Sequence, residues 1–422
     1  MLEPMTPKNP VTEIGLVATV RRVVMVALLL AIGAVLLPQT AHSYVTQSNI
    51  SYDLGSPPAD PARNMLDIYL PDGPSSEPRP FVLHIHGGGW RNGDKANPSM
   101  PDKAALFTGL GYGMVSISYR LSPMTGDPNN PDPNRIMFPD HPDDVGEAIG
   151  WLDRNALRYG LDPDRMILMG HSAGAHLASL VSTDPRYIER YGVDRRQILG
   201  AIPLDTGAFD IEQSVLGSAD EPSLLFGNAF GSPAENLATN SWETASPLTW
   251  ADASDPRHLF VVQNIPGRIS LQNFMAIKLG QQPPASVVAV PLNHNGVNRA
   301  VGSPTDTTQT TPAITAFVTD RLAQYPGPQV KVSKRPPNVV RLARKARSGK
   351  PKSRSVTFAF TGSGNVSGIE CRLDGASYRA CSSPRKYWIG PGGHNFRVRP
   401  LYPSGRPGET TLVQFRAVAK KR

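Results

Sequence analysis

Residues 168–176 read "LMGHSAGAH", and the fold turns on what surrounds Ser172. A Gly-x-Ser-x-Gly pattern is informative only between a strand and a helix. Before it, "DRMILMG" is a short apolar run bounded by Asp and Gly, the length of a buried strand. After it, "AHLASLVSTDP" carries apolar residues at helical spacing until Pro185. The serine therefore stands at a strand-to-helix corner. Gly170 and Gly174 flank it where the chain turns sharply and the two elements approach closely, which a residue without Cβ permits at least cost. A solvated hydroxyl in an ordinary turn would need none of this context.

Outward from that corner, strand and helix alternate between residues 44 and 326. "NMLDIYLP" and "PFVLHIHGGGW" read as strands, "MPDKAALFTGLG" as a helix, "YGMVSISYRL" as a strand and "DDVGEAIGWLDRNALRYG" as a long helix. Beyond the corner come the strand "ILGAIPLD", a Pro- and Asn-rich excursion, the strand "HLFVVQN", the helix "SLQNFMAIKLG", the strand "ASVVAVPL" and the helix "TPAITAFVTDRL". Such alternation predicts an α/β fold. Its mostly parallel sheet is covered by helices on both faces, and ligands bind outside the carboxyl ends of the strands.

At one of those ends, residues 84–90 read "HIHGGGW". Three consecutive glycines let backbone N–H groups turn inward with no side chain in the way, as an oxyanion hole requires. Together with "LDIYLP", "SISYRLSP", the run from "DDVGEAIGW" to "GHSAGAHLASL", and "LNHNGVNRAVG", this loop makes residues 63–322 resemble the bacterial esterase/lipase branch of the α/β-hydrolase superfamily, related to the hormone-sensitive-lipase group. The resemblance implies Ser172 as nucleophile, His294 as general base, and the backbone N–H groups of Gly88, Gly89 and Ala173 as the oxyanion hole. The types fit the chemistry, since a serine hydroxyl attacks an acyl carbon only when a neighbouring imidazole takes its proton. Of the other histidines, His84 and His176 read as core or helix-face residues, and His86 braces the glycine loop in relatives. His171 and Trp90 are expected to line the substrate pocket, with the excursion "FGNAFGSPAENLATNSWETASPLTW" where relatives grow a cap.

The third member of the implied triad breaks the pattern. Relatives place an Asp or Glu shortly after the strand corresponding to "HLFVVQN", yet residues 261–270, "VVQNIPGRIS", hold no carboxylate, and Asn264 stands near the expected place. An amide can orient an imidazole but cannot stabilise the imidazolium by charge; the corresponding Asp→Asn change in a serine protease costs ~10⁴ in turnover. Three readings stay open: the carboxylate comes from Asp205, at the end of the preceding strand in "AIPLDTGAFD"; it comes from Asp210 behind it; or there is none. Asp205 leads, because the carboxyl end of its strand faces the same crevice, although an Asp there also serves as a turn cap.

At 422 residues the chain suits two domains, and its charge divides accordingly. Residues 327–422 hold 21 Lys+Arg against 3 Asp+Glu, a net of +18; the remainder hold 22 against 32, a net of −10. Residues 327–354 read as a basic linker. "SVTFAFTG", "IECRLDG", "HNFRVRPLY" and "TLVQFRAV" read as strands of a small all-β sandwich over 355–422. This part resembles a bacterial immunoglobulin-like module appended to secreted and surface proteins. It holds the only cysteines, Cys371 and Cys381; an even pair in an exported chain reads as a disulfide, and the resemblance implies the same. At the N-terminus, Arg21 and Arg22 precede an apolar run, Val23 to Leu37, and then "QTAHSY", whose Ala41 and Ser43 suit a cut after Ser43. That reads as a signal peptide over 1–43 rather than an uncleaved anchor, since the run is shorter than the ~20 residues that span a bilayer.

No spaced Cys/His set or zinc signature points to a metal, nothing suggests a nucleotide site, and no cofactor is expected. The expectation is a secreted or cell-envelope serine carboxylic-ester hydrolase acting on a small-molecule ester, with membrane contact only through an uncleaved N-terminal segment. The basic part would favour an anionic surface polymer, without any motif for specific nucleic-acid binding. Two other readings stand beside it: a hydrolase-fold adhesion or binding protein that has lost its triad acid, and amide or formamide hydrolysis by the same residues.

Overall fold

The computed structural model describes residues 43–55, 60–75, 77–123, 132, 134–216, 221–343 and 352–420; the expected signal peptide, up to His42, lies outside them. Strands β1 (Tyr44–Ser51), β2 (Met65–Pro71), β3 (Arg79–Ile85), β4 (Gly113–Ile117), β5 (Leu161–His171), β6 (Ile198–Leu204), β7 (Arg257–His258), β8 (Phe260–Gln263) and β9 (Val287–Val290) form one sheet. Its order is β1-β2-β4-β3-β5-β6-β8-β9, with β7 on β6. The pairs β1–β2 and β2–β4 are antiparallel, and the rest are parallel.

The principal helices are α1 (Met100–Gly109), α2 (Asp140–Asn155), α3 (Ala173–Thr183), α4 (Pro266–Lys278), α5 (His294–Ala300) and α6 (Thr310–Gln324). Alternation along the central strands feeds two cores. Phe81, Leu83, Met166 and Leu168 pack with Val145, Ile149 and Leu177 of α2 and α3 on one face. Val82, Ile167 and Met169 pack with Phe107, Ile314 and Val318 of α1 and α6 on the other. A sheet buried on both sides accounts for strands that read as near-continuous apolar runs.

The C-terminal part is all β among the described residues. A sheet of β10 (Gln329–Lys334), β12 (Arg354–Ser363) and β15 (Arg385–Ile389) faces a sheet of β11 (Val339–Leu342), β17 (Thr411–Ala419), β16 (Gly392–Leu401), β13 (Gly368–Leu373) and β14 (Arg379–Ala380). Val340, Phe358, Phe396 and Phe415 fill the common core, where the rings of Phe358 and Phe396 stack at 3.9 Å. Cys371, buried in that core, is bonded to Cys381.

The expected linker over 327–354 is corrected here, because it contributes β10 and β11. Val330 and Val332, and Val340 and Leu342, turn into the core while the charges between them stay outside. The charge density had masked that alternation.

This part is fixed to the hydrolase-like part. Arg406 pairs with Asp164 at 2.6 Å and Asp153 at 2.7 Å. Tyr402 donates to Asp162 at 3.2 Å, and Arg196 donates to the Pro403 carbonyl at 3.0 Å.

Candidate active site

Four chain segments meet beyond the carboxyl ends of the strands: the glycine loop after β3, Ser172 after β5, Asp205 after β6 and His294 after β9. Ser172 has φ 55° and ψ −117°, a conformation that an L-residue holds only when its surroundings enforce it. The enforcement is visible. A Cβ on Gly170 would come within 2.1 Å of the Gly174 carbonyl oxygen, and a Cβ on Gly174 within 2.1 Å of the Ile85 oxygen. Strand β5, helix α3 and strand β3 therefore touch backbone to backbone, and the serine is thrust out at their junction. Trp90, Ser172 and Asp205 are three of six non-glycine residues with positive φ among those described, so backbone strain is concentrated at this site.

Asp205 Oδ2 lies 2.6 Å from His294 Nδ1. The carboxylate, fully buried, also accepts from the Gln263 backbone N–H at 3.1 Å and from Gln263 Nε2 at 2.9 Å. Burial pushes this carboxyl up, but the hydrogen bonds from His294 and Gln263 and the nearby charge of Arg268 outweigh it and hold it below the ordinary carboxylate range. It is ionised at neutral pH. Asn264, exposed at the start of the following loop, engages through its backbone N–H, which donates to Val290 at 2.9 Å; Asp210 caps the next helix by accepting from the Gln213 N–H at 3.0 Å. Of the three readings of the acid, the geometry brings Asp205 to the imidazole.

The glycine loop is held by side chains around it. His86 Nδ1 donates to the Gly87 carbonyl at 2.7 Å, its ring stacks on Tyr119 at 4.3 Å, and Tyr119 donates to the His86 carbonyl at 3.1 Å. Burial pushes His86 down to about 4, so it is neutral. Gly88 has φ 123°, and a Cβ there would strike the Asn92 carbonyl oxygen at 2.0 Å. The N–H of Ala173 opens helix α3, where the first donors lack intrahelical acceptors. His171 donates from Nε2 to the His294 carbonyl at 2.9 Å; burial, reinforced by His294, lowers it to about 4.

Ser172, His171, His294 and the glycines line a cleft of about 940 Å³. Its remaining wall is largely polar, with Asn92, Asn97, Ser99, Asp102 and Asn298 against Leu225 and Pro98. Trp90 is not on that wall, contrary to expectation. It is buried among His176, Phe226 and Phe230, at 5.3, 5.3 and 4.8 Å between ring centroids, because the left-handed turn at Trp90 directs its ring under the excursion helices rather than into the cleft. His176 is buried, donating to Ala245, and His84 is buried beside Ser116.

Two further residues were unmarked in the sequence. Gln263, next to Asn264, holds the acid. Lys103, fully buried beneath the cleft, donates to Ser99 Oγ at 2.8 Å and the Asn298 carbonyl at 2.7 Å, and burial pushes it down to about 7. A lysine between Met100, Ala104 and Phe107 on the apolar face of α1 was the available signal.

Residues 66–264 match the family model BD-FAE. The chain is 31% identical over 200 residues to a probable carboxylic ester hydrolase, LipM, of Mycobacterium tuberculosis, a match covering 46% of this chain and 42% of that protein. It is 32% identical over 191 residues to kynurenine formamidase avaC of Aspergillus versicolor, covering 41% and 63%. The chain thus spans about half the length of the curated relatives it matches. Among solved structures it is similar to esterase B from Lactobacillus Rhamnosis, with a TM-score of 0.52 at 18% identity over 73% of this chain and 95% of that one. The part that carries the cleft has the α/β-hydrolase fold.

Proposed function

We propose that this chain is a secreted serine carboxylic-ester hydrolase that works through an acyl-enzyme on Ser172. The observation that carries this reading is the buried Asp205 carboxylate 2.6 Å from His294 Nδ1, with Ser172 held on its strained corner in the same cleft. His294 Nε2 takes the serine proton as Oγ attacks the acyl carbon, and Asp205 stabilises the imidazolium that forms. The N–H groups of Gly88, Gly89 and Ala173 receive the oxyanion, each worth ~3 kcal/mol in such sites. The imidazolium then protonates the leaving alkoxide, and water repeats the sequence on the acyl-enzyme.

The ester-hydrolase relative supports this reading, whereas the formamidase relative supports amide hydrolysis by the same residues. The alternative of a binding protein without a triad acid loses its main argument once Asp205 meets His294. The C-terminal part, read as an immunoglobulin-like module, would keep the enzyme at an anionic surface polymer in the cell envelope. A fluorophosphonate probe, with mass spectrometry of the labelled peptide, tests the assignment: labelling is expected at Ser172, with loss of p-nitrophenyl ester hydrolysis in Ser172→Ala. Wild-type turnover in that variant would refute it, and faster turnover of an N-formyl arylamine than of any ester would favour the amide reading.

A further inference from the structure

The outer face of the five-stranded C-terminal sheet carries charge that hydrolysis does not use. Side chains alternate along a strand, so Phe396 and Val398 of β16 enter the core while Asn395, Arg397 and Arg399 face outward. The register sets Arg372 of β13 directly opposite Arg397, and Arg416 of β17 opposite Val339 and Gly393. The guanidiniums of Arg372 and Arg399 lie over one ring, Tyr378, at 4.6 and 3.8 Å. Among the described residues the acids at this face are Glu370, which Arg399 already takes at 2.7 Å, and Asp374 at its edge, which already accepts from His394 Nδ1 at 2.9 Å and the Asn395 N–H at 2.8 Å.

Like charges directly opposite in a sheet are destabilising, so a face that sets Arg372 against Arg397 is relieved by an anion laid across it. Arginine presents a planar fork that matches a carboxylate bidentately. The seven residues of β16 from Gly393, in the Arg416 row, to Arg399 extend roughly 20 Å, which suits a chain rather than a single ion. The aromatic residues decide its class. Tyr378 is covered by two guanidiniums, and Trp388, 74% exposed, belongs to the other sheet; among the described residues this face has no open ring on which nucleic-acid bases would stack. Asn395 and Gln414, hydrogen-bonded at 3.0 Å, add amide groups that suit hydroxyls. We infer that this face holds a carboxylate-bearing polysaccharide, an inference that rests on the basic part acting as an anchor to an anionic surface.

The test is titration of the full-length, disulfide-intact protein with polygalacturonate, its fully methyl-esterified form and duplex DNA. Salt-sensitive binding to polygalacturonate and none to the neutral ester are expected. Arg372→Gln/Arg397→Gln/Arg416→Gln should weaken binding at least tenfold, whereas Lys331→Gln/Lys334→Gln/Lys386→Gln, which removes equal charge from the other sheet, should change it less than about twofold. Should the triple arginine variant fold poorly, the single changes at Arg397 and Arg416 replace it, each with a smaller loss in the same direction. The inference is overturned if the native protein does not bind, if the lysine variant loses as much as the arginine variant, or if duplex DNA binds more tightly. Fluorophosphonate labelling of each variant reports separately on the hydrolase reading and is expected to be unchanged.

Discussion

Asp205 combines a left-handed backbone, φ 49°, with complete burial and hydrogen bonds from both His294 and Gln263. A carboxylate so held can counter an imidazolium without moving. Asp205→Asn should lower turnover by at least ~10², toward the ~10⁴ seen when a triad carboxylate is neutralised, with little change in the unfolding midpoint. Asn264→Asp should leave turnover within about twofold, because the new carboxylate would be exposed while His294 Nδ1 is already taken. Steady-state kinetics on one soluble ester decide both. A gain in turnover in the Asn264 variant would return the acid to the loop after β8.

At the scale of elements, the corner between β5 and α3 is rigid because three backbones pass within contact distance. Gly174→Ala would press a methyl to 2.1 Å from the Ile85 oxygen, and backbone cannot yield as a side-chain tip can. The variant should lose roughly 3 kcal/mol or more, at the upper end of overpacking costs, and its activity with it; a denaturant midpoint within error of wild type would contradict the packing. In the C-terminal part, the Cys371–Cys381 bond closes a loop with a sequence separation of 10 around β13 and β14. Reduction should cost that part about 2 to 4 kcal/mol, read as earlier loss of amide-exchange protection in β13 and β16, while ester turnover persists.

At the scale of the whole molecule, the two parts are joined by charge at the base of β5, the strand that leads into Ser172. Asp162 and Asp164 are buried there; burial, with Asp164 beside it, pushes Asp162 up to about 6, and burial likewise raises Asp164. A carboxyl raised on folding contributes stability that is complete below its unfolded value near 4 and lost as pH rises through the folded value, here about 6 for Asp162. At Asp164, Arg406 offsets the cost of burial by pairing with the carboxylate at 2.6 Å. Arg406→Ala should therefore destabilise by about 3 to 5 kcal/mol at pH 8, the cost of stranding the buried Asp164 charge, and by less at pH 5, because burial raises Asp164 and so brings it closer to protonation there. Thermal melts at the two pH values check this; an equal drop at both would remove the clamp. Truncation after Tyr325 strands the same acids and should lower the melting temperature of the remaining part.

His294 was singled out by the resemblance that "LNHNGVNRAVG" carries; the α/β class, the corner at Ser172 and the glycine loop were legible in the chain because they depend on local patterning: apolar period, glycine placement and residue type within a few positions. The strands β12, β13, β16 and β17 were legible for the same reason. Tertiary packing brings Asp205 rather than Asn264 to the imidazole, since that contact joins residues 89 apart through the parallel order of β6, β8 and β9. It also turned Trp90 into the core, drew β10 and β11 out of a basic stretch, and joined Arg406 to Asp164 across 242 residues. Partners this distant leave no periodic trace in the chain, because their proximity is set by how strands are ordered and packed.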